Sequence, residues 1–409
     1  MREKLEFPRL SLNERQRRWD LVRGEMRKAK LDCLVLFGWP AVWDFCIANA
    51  RYLSPIGGNA EFNVLVFPLE GEPTTFVQMF TFVDGWKRSQ EWVSDVRPRK
   101  GTWADSVVGR VKELGLQGSR IGIDGLAGPL DPDGWVPYSV LVGIKEKLPG
   151  AEFVALDDMI EKIRAVKSPE EIAALDKAAV VGDLMLQACA DTARPGVKEC
   201  EVYAKMMETM LANGGEEPTL FFWNCDRNPY PHPFRLPTTR PIEKGDVIVI
   251  EMHPKLAGYG YYTHVERTFS LGQPEPKRQE IYDGCLAAFK RGLELFGPGK
   301  KITETLHAVG DVIKERKLGI CETGIHGHGL ASLEYPKYRL HNMAADQGII
   351  RAIGDEFRPG MVFAFSVDLF DPAWQNGQTG CVVSETVEIT ATGSRWFHKY
   401  PFDLHVIKC

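Results

Sequence analysis

The chain has 409 residues, of which 44% are hydrophobic and 26% charged, and its formal charge is −5 from 55 acidic against 50 basic side chains. This is the composition of an ordinary folded protein, and at roughly 150 residues per domain it allows two or three domains. It excludes disordered and collagen-like chains, and without a basic excess a nucleic-acid or anionic-membrane partner has no electrostatic driving force.

In chain order, Met1 to Leu10 carries no apolar signal core. Leu12 to Lys30 is charged on one side and keeps Trp19, Leu21, Val22 and Met26 for burial, so a helix is expected. The longest apolar stretch, Cys33 to Trp43, is broken by Gly38 and Pro40 and is shorter than the ~20 residues a bilayer requires. Within it Leu34-Val35-Leu36-Phe37 is predicted as a buried strand. Phe62 to Pro68 and Thr75 to Met79 are predicted strands on either side of a polar turn, and Arg120 to Asp124 and Glu152 to Leu156 are further strands, with a helix at Val107 to Leu114. An α/β domain over residues 1–160 is expected, followed by a second domain over 161–409.

The second domain opens with Ser168-Pro169-Glu170-Glu171, where Ser168 can cap a helix, Pro169 suits its first turn and Glu171 can close a capping box. A second helix is expected over Glu199 to Ala212. Strands follow at Val247 to Met252, Tyr261 to Phe269, Met361 to Phe370 and Cys381 to Thr390, with helices at Gln279 to Leu295 and Ile302 to Lys314, an α+β pattern. Nine cysteines stand singly with no C-x-x-C pair, which fits reduced thiols in a cytoplasmic protein better than a disulfide framework.

Three stretches concentrate functional groups. In Asn228-Pro229-Tyr230-Pro231-His232-Pro233 the prolines stiffen the backbone around an imidazole suited to proton transfer, although a rigid solvent-facing loop has the same pattern. Strand alternation would line up Tyr262, His264 and Glu266 on one face, able to bind a cation or shuttle a proton, or simply to meet solvent. In Gly324-Ile325-His326-Gly327-His328-Gly329 the glycines permit close approach, whether for a ligand or for a turn. Neither a G-x-S-x-G elbow nor a P-loop occurs.

Taken together, the segment Ile163 to Ile172, Gly245-Asp246-Val247-Ile248, Glu266-Arg267-Thr268-Phe269, His328-Gly329-Leu330 and Pro359-Gly360-Met361-Val362-Phe363 resemble the creatinase/prolidase/aminopeptidase P family with its pita-bread fold. The resemblance implies an α/β N-terminal domain and an α+β pita-bread catalytic domain. The peptidases of that family bind two metal ions through two aspartates, a histidine and two glutamates. Here Glu251 stands near the first aspartate, His264 in place of the second, and Ser366 and Ser384 where the glutamates are expected, so the anionic oxygens for a dinuclear centre are missing.

The expectation is therefore a metal-independent, creatinase-like hydrolase of a C–N bond in a small nitrogen-containing molecule, without a cofactor. His232 would be the acid/base, with Glu266 and Tyr262 catalytic. His264, His328, Arg339, Glu385 and Glu61 would bind the substrate, and Glu61, where creatinase places an arginine, would favour a cation over a carboxylate. The alternatives are one divalent ion on Glu251, His264 and His328 in a metal-dependent Xaa-Pro peptidase or a lyase of the same fold, and a non-catalytic binding module. The resemblance also implies a homodimer.

Overall fold

A computed structural model describes residues 8–41, 43–58, 61–127, 133–156, 158–218, 220–232, 235–340 and 354–409. Pro233, which belongs to the proline-rich stretch above, lies outside that set. The chain divides into two compact units. One comprises the residues up to Arg164 together with Ala257–Gly260, and the other Ala165–Leu256 together with Tyr261–Cys409. Among the described residues no helix is long and apolar enough to cross a membrane.

The first unit is α/β. Its elements are α1 (Leu12–Ala29), β1 (Cys33–Gly38), α2 (Phe45–Leu53), β2 (Asn63–Pro68), β3 (Thr74–Val77), α3 (Val83–Ser89), β4 (Asp95–Pro98), α4 (Trp103–Glu113), β5 (Arg120–Ile123), α5 (Tyr138–Lys147), β6 (Glu152–Ala155) and α6 (Met159–Arg164). The strands form one sheet in the order β4-β3-β2-β1-β5-β6. Alternate residues Cys33, Val35 and Phe37 of β1 pack with Val64 and Val66 of β2 against Val107, Val111 and Ile144 of α4 and α5, as period-2 patterning requires. A buried polar knot lies in the same unit: Asn49 Nδ2 donates to Asp124 (3.0 Å) and to Glu161 (2.8 Å), while Arg164 donates to Asn49 Oδ1 (2.7 Å).

The second unit is α+β. It begins with α7 (Pro169–Thr192) and α8 (Glu199–Ala212). The Ser168 hydroxyl accepts from Glu171 N and the Glu171 carboxylate from Ser168 N, so the expected capping box forms with Pro169 in the first turn. Then follow β7 (Phe221–Asp226), β8 (Val247–Met252), β9 (Val265–Leu271), α9 (Pro276–Leu293), α10 (Ile302–Glu315), β10 (Gly319–Gly327), β11 (Glu334–Arg339), β12 (Val362–Phe370), β13 (Gly380–Ile389), β14 (Ser394–Trp396) and β15 (His405–Ile407). The main sheet runs β11-β10-β12-β13-β9-β8-β7.

One face of this sheet is apolar. Phe363, Phe365, Val367 and Leu369 of β12 and Cys381, Val383, Val387 and Ile389 of β13 pack with Ile281, Cys285 and Phe289 of α9 and with Leu306 and Val309 of α10. Side chains of a strand alternate, so Ser366, Asp368 and Ser384 project from the opposite face.

Candidate active site

The face opposite α9 and α10 gathers the polar groups. Glu322 on β10 lies opposite Asp368 on β12, Ser366 opposite Ser384, and Ser384 opposite Glu266 on β9. That last pair is the only β9–β13 register pair among the described residues. On either side of it threonine hydroxyls span the strands. Thr386 Oγ1 accepts from His264 N (2.7 Å) and donates to His264 O (2.9 Å), while Thr268 Oγ1 exchanges 3.0 Å bonds with Val382 N and O.

The segment before β9 is not strand. Tyr262 N bonds to Gly329 O and Thr263 N to Pro254 O, so the chain from Tyr261 to His264 is held by loops and β9 begins only at Val265. The expected single strand face carrying Tyr262, His264 and Glu266 is corrected accordingly. Tertiary contacts still bring these residues near one another: the Tyr262 ring stands edge-on to His328 at 5.1 Å, and His264 Nε2 lies 3.6 Å from Glu266.

Two groups of donors adjoin. Glu251, His253 and His264 form a fully buried one, and His232, Glu266 and Asp368 the other, each with its donor atoms within 4.8 Å of one another. They are linked by His264–Glu266 at 3.6 Å and His232–Glu251 at 3.7 Å. His232 Nδ1 lies 3.2 Å from Asp368 Oδ2, and its Nε2 lies 3.7 Å from Glu322, which is itself paired with Arg339 at 2.7 Å. His328 sits just past β10, and its Nδ1 is 2.9 Å from the Ser332 carbonyl. The loop that carries it is pinned by Glu334, which accepts from Leu330 N and Ala331 N and forms a buried pair with Lys167.

Burial and crowding set the electrostatics. Burial, reinforced by Glu266, Glu322 and Glu251, pushes the Asp368 carboxyl well above its ordinary range. Burial pulls His264 down, but Glu251 and Glu266 outweigh it and hold its pKa up at about 10. Burial takes His253 down to about 4 and His328 well below the usual imidazole value.

Several buried atoms in this cluster have no hydrogen-bond partner: Glu251 Oε2, Glu266 Oε2, Asp368 Oδ1, His253 Nδ1, both nitrogens of His264, His328 Nε2 and Ser384 Oγ. Buried polar atoms are nearly always satisfied, so a concentration of orphans, rich in carboxylate oxygen and imidazole nitrogen, fits a divalent cation. The expected shortage of carboxylate ligands is corrected here. Asp368 lies two residues beyond Ser366, on the same face of β12, and joins Glu251 and Glu266 as a third carboxylate.

Glu385 is placed elsewhere. It lies on the apolar side of β13, fully buried, with Oε2 3.1 Å from Arg267 Nη2 and Oε1 accepting from Thr386 N and His398 N. Glu61 belongs to the first unit, where its carboxylate accepts from Gln78 N (3.1 Å) and Trp86 Nε1 (2.9 Å). His253, Asp368, Glu322 and Lys255, whose ammonium lies 5.7 Å from the Tyr262 ring, were not among the expected site residues. The signal for His253 was its spacing of two from Glu251, which puts both on one face at the end of β8.

Residues 173–391 match the model of metallopeptidase family M24, and residues 18–166 match that of the creatinase/prolidase N-terminal domain. The Xaa-Pro dipeptidase of Pyrococcus furiosus is 30% identical over 269 residues, covering 64% of this chain and 71% of the relative. A creatinase from a Bacillus species is 24% identical over 265 residues, covering 63% of each. The structure of a Xaa-Pro dipeptidase from Bacillus anthracis superposes with a TM-score of 0.75 at 23% identity, covering 96% of this chain and 99% of that one. The match to a metallopeptidase family, the higher identity to the dipeptidase and the buried donor cluster overturn the expectation of a metal-independent, cofactor-free, creatinase-like hydrolase.

Proposed function

The chain belongs to metallopeptidase family M24, with a creatinase/prolidase N-terminal domain before it, and on that premise we propose that it is a metal-dependent hydrolase of the carbon–nitrogen bond in dipeptides with proline in second place. The observation that carries this reading is the set of buried, unpaired donors on Glu251, His253 and His264, adjoined by Glu266, Asp368 and His328. Glu251, His253 and His264 would hold the ion. When bound, such an ion polarises a carbonyl and lowers the pKa of water.

The chain's own residues divide the remaining work. Asp368 fixes the orientation of the His232 ring through Nδ1 and leaves Nε2 on the opposite edge. From there His232 takes a proton from water and returns it to the leaving nitrogen. Arg339, paired with Glu322 at 2.7 Å, binds the peptide's terminal carboxylate with the rest of its planar donor fork. Tyr262, set against His328, orients the scissile group. The proposal includes a homodimer and a reducing compartment such as the cytoplasm, in keeping with nine free thiols.

Release of proline from Xaa-Pro dipeptides, compared with Xaa-Ala controls, is the direct test. Turnover should vanish on exhaustive chelation, return on adding divalent metal, and fall at least about a hundredfold in His232→Ala. Proline release that survives chelation would refute the proposal.

A further inference from the structure

The cluster offers its ion an unusual amount of nitrogen. His253 and His264 stack with ring centroids 4.7 Å apart, and His328 completes a triangle at 5.4 Å and 6.0 Å from them. Each of the three rings is buried and has at least one nitrogen with no hydrogen-bond partner.

In one of the rings, His328, the other nitrogen is fixed. His328 Nδ1 faces the Ser332 carbonyl, which can only accept, so the proton sits on Nδ1 and the lone pair on Nε2. Glu251 Oε1 lies 3.2 Å from His253 Nε2 and 3.5 Å from His264 Nε2, so these three donors face one space. A carbonyl behind a ring, setting its tautomer, is a usual arrangement behind a metal-binding imidazole. The His328 loop is held by the buried Lys167–Glu334 pair and by backbone bonds to Glu334, so little order has to be gained on binding.

Imidazole nitrogen favours borderline transition ions, whereas magnesium, calcium and manganese favour all-oxygen surroundings. Building on the metal-dependent reading above, we propose that the resident ion is of the zinc or iron(II) class, selected by His253, His264 and His328 together with Glu251, and that the site discriminates against manganese, magnesium and calcium. The ligand set assigned is thus one carboxylate with three imidazoles.

The full chain, stripped by chelation, is titrated calorimetrically with Zn2+, Mn2+ and Mg2+ separately, and the zinc-loaded protein is examined by X-ray absorption at the zinc edge. Zinc should bind at least about a hundredfold more tightly than manganese, magnesium should give no saturable binding, and the absorption fine structure should carry imidazole scattering. His253→Gln and His328→Gln, each checked for fold by circular dichroism, should each weaken zinc at least about tenfold. Manganese within tenfold of zinc, or a zinc shell of oxygen alone in the wild-type protein, would overturn the inference even if neither variant folds. Dipeptide hydrolysis restored by manganese with no zinc preference would sink this inference and leave the peptidase reading standing. Selective zinc binding without dipeptide hydrolysis would do the reverse.

Discussion

Glu385→Gln separates a carboxylate that binds substrate from one that pairs with Arg267 behind the sheet. As a substrate ligand it would raise KM when neutralised. In the structure its side chain is fully buried, as is that of Arg267, and they pair at 3.1 Å behind β13. Breaking one partner of a buried ion pair costs about 3–5 kcal/mol, because the other charge stays buried. Arg267 keeps the carbonyls of Glu266, Ser384, Pro401 and Tyr400, which places the loss near the lower end, at about 3 kcal/mol.

For a unit of this size about 1 kcal/mol moves the melting temperature by roughly 2–4 °C, so a fall of roughly 6–12 °C is expected. Differential scanning calorimetry gives that number, and initial rates on a Xaa-Pro dipeptide give KM, which should stay within about twofold of wild type. The double variant Arg267→Met with Glu385→Leu should recover much of the loss, since an apolar pair leaves no unpaired charge. A melting temperature within about 2 °C of wild type, with KM raised tenfold, would show that Glu385 faces the substrate and that the strand-face argument is wrong.

Two further predictions concern other parts of the chain. A Cβ on Gly327 would meet the Tyr335 carbonyl oxygen at 2.1 Å, a backbone atom that cannot swing away, so Gly327→Ala should destabilise by at least about 1–3 kcal/mol; an unchanged denaturation midpoint would show that β10 and β11 do not approach as closely as described. In the first unit, burial and then Glu161 raise the Asp124 carboxyl to about 8, with Arg164 opposing. The folded state therefore keeps a proton that the unfolded chain releases above about pH 4, and stability, undiminished below that, should fall as pH rises toward 8. One proton gives a slope of at most about 1.4 kcal/mol per pH unit, and Asp124→Asn should flatten it; an identical slope in wild type and variant would remove Asp124 as the cause.

The sequence by itself determined what is local. The Ser168 and Glu171 cap, the helices over 199–212 and 302–314, and the α/β-then-α+β order follow from spacings within one or two turns, and the structure has them where those spacings put them. Part of the site was legible in the same way. The alternation Phe363-x-Phe365-x-Val367-x-Leu369 already separates an apolar face from one bearing Ser366 and Asp368, and the same rule sends Glu385 to the side of Val383 and Val387. Which polar groups meet was decided only by the tertiary structure. His232, Glu251, Glu266, Glu322 and Asp368 come from different strands and loops, and their grouping depends on the register between β8, β9, β10, β12 and β13. Register is fixed by packing against α9 and α10 and by threonine hydroxyls that tie β13 to β9 and to His264 just before it, the latter joining residues more than a hundred positions apart. A count of candidate ligands by motif position therefore finds two serines where the folded sheet gathers Glu251, Glu266 and Asp368, with His253, His264 and His328 on the segments just beyond its strands.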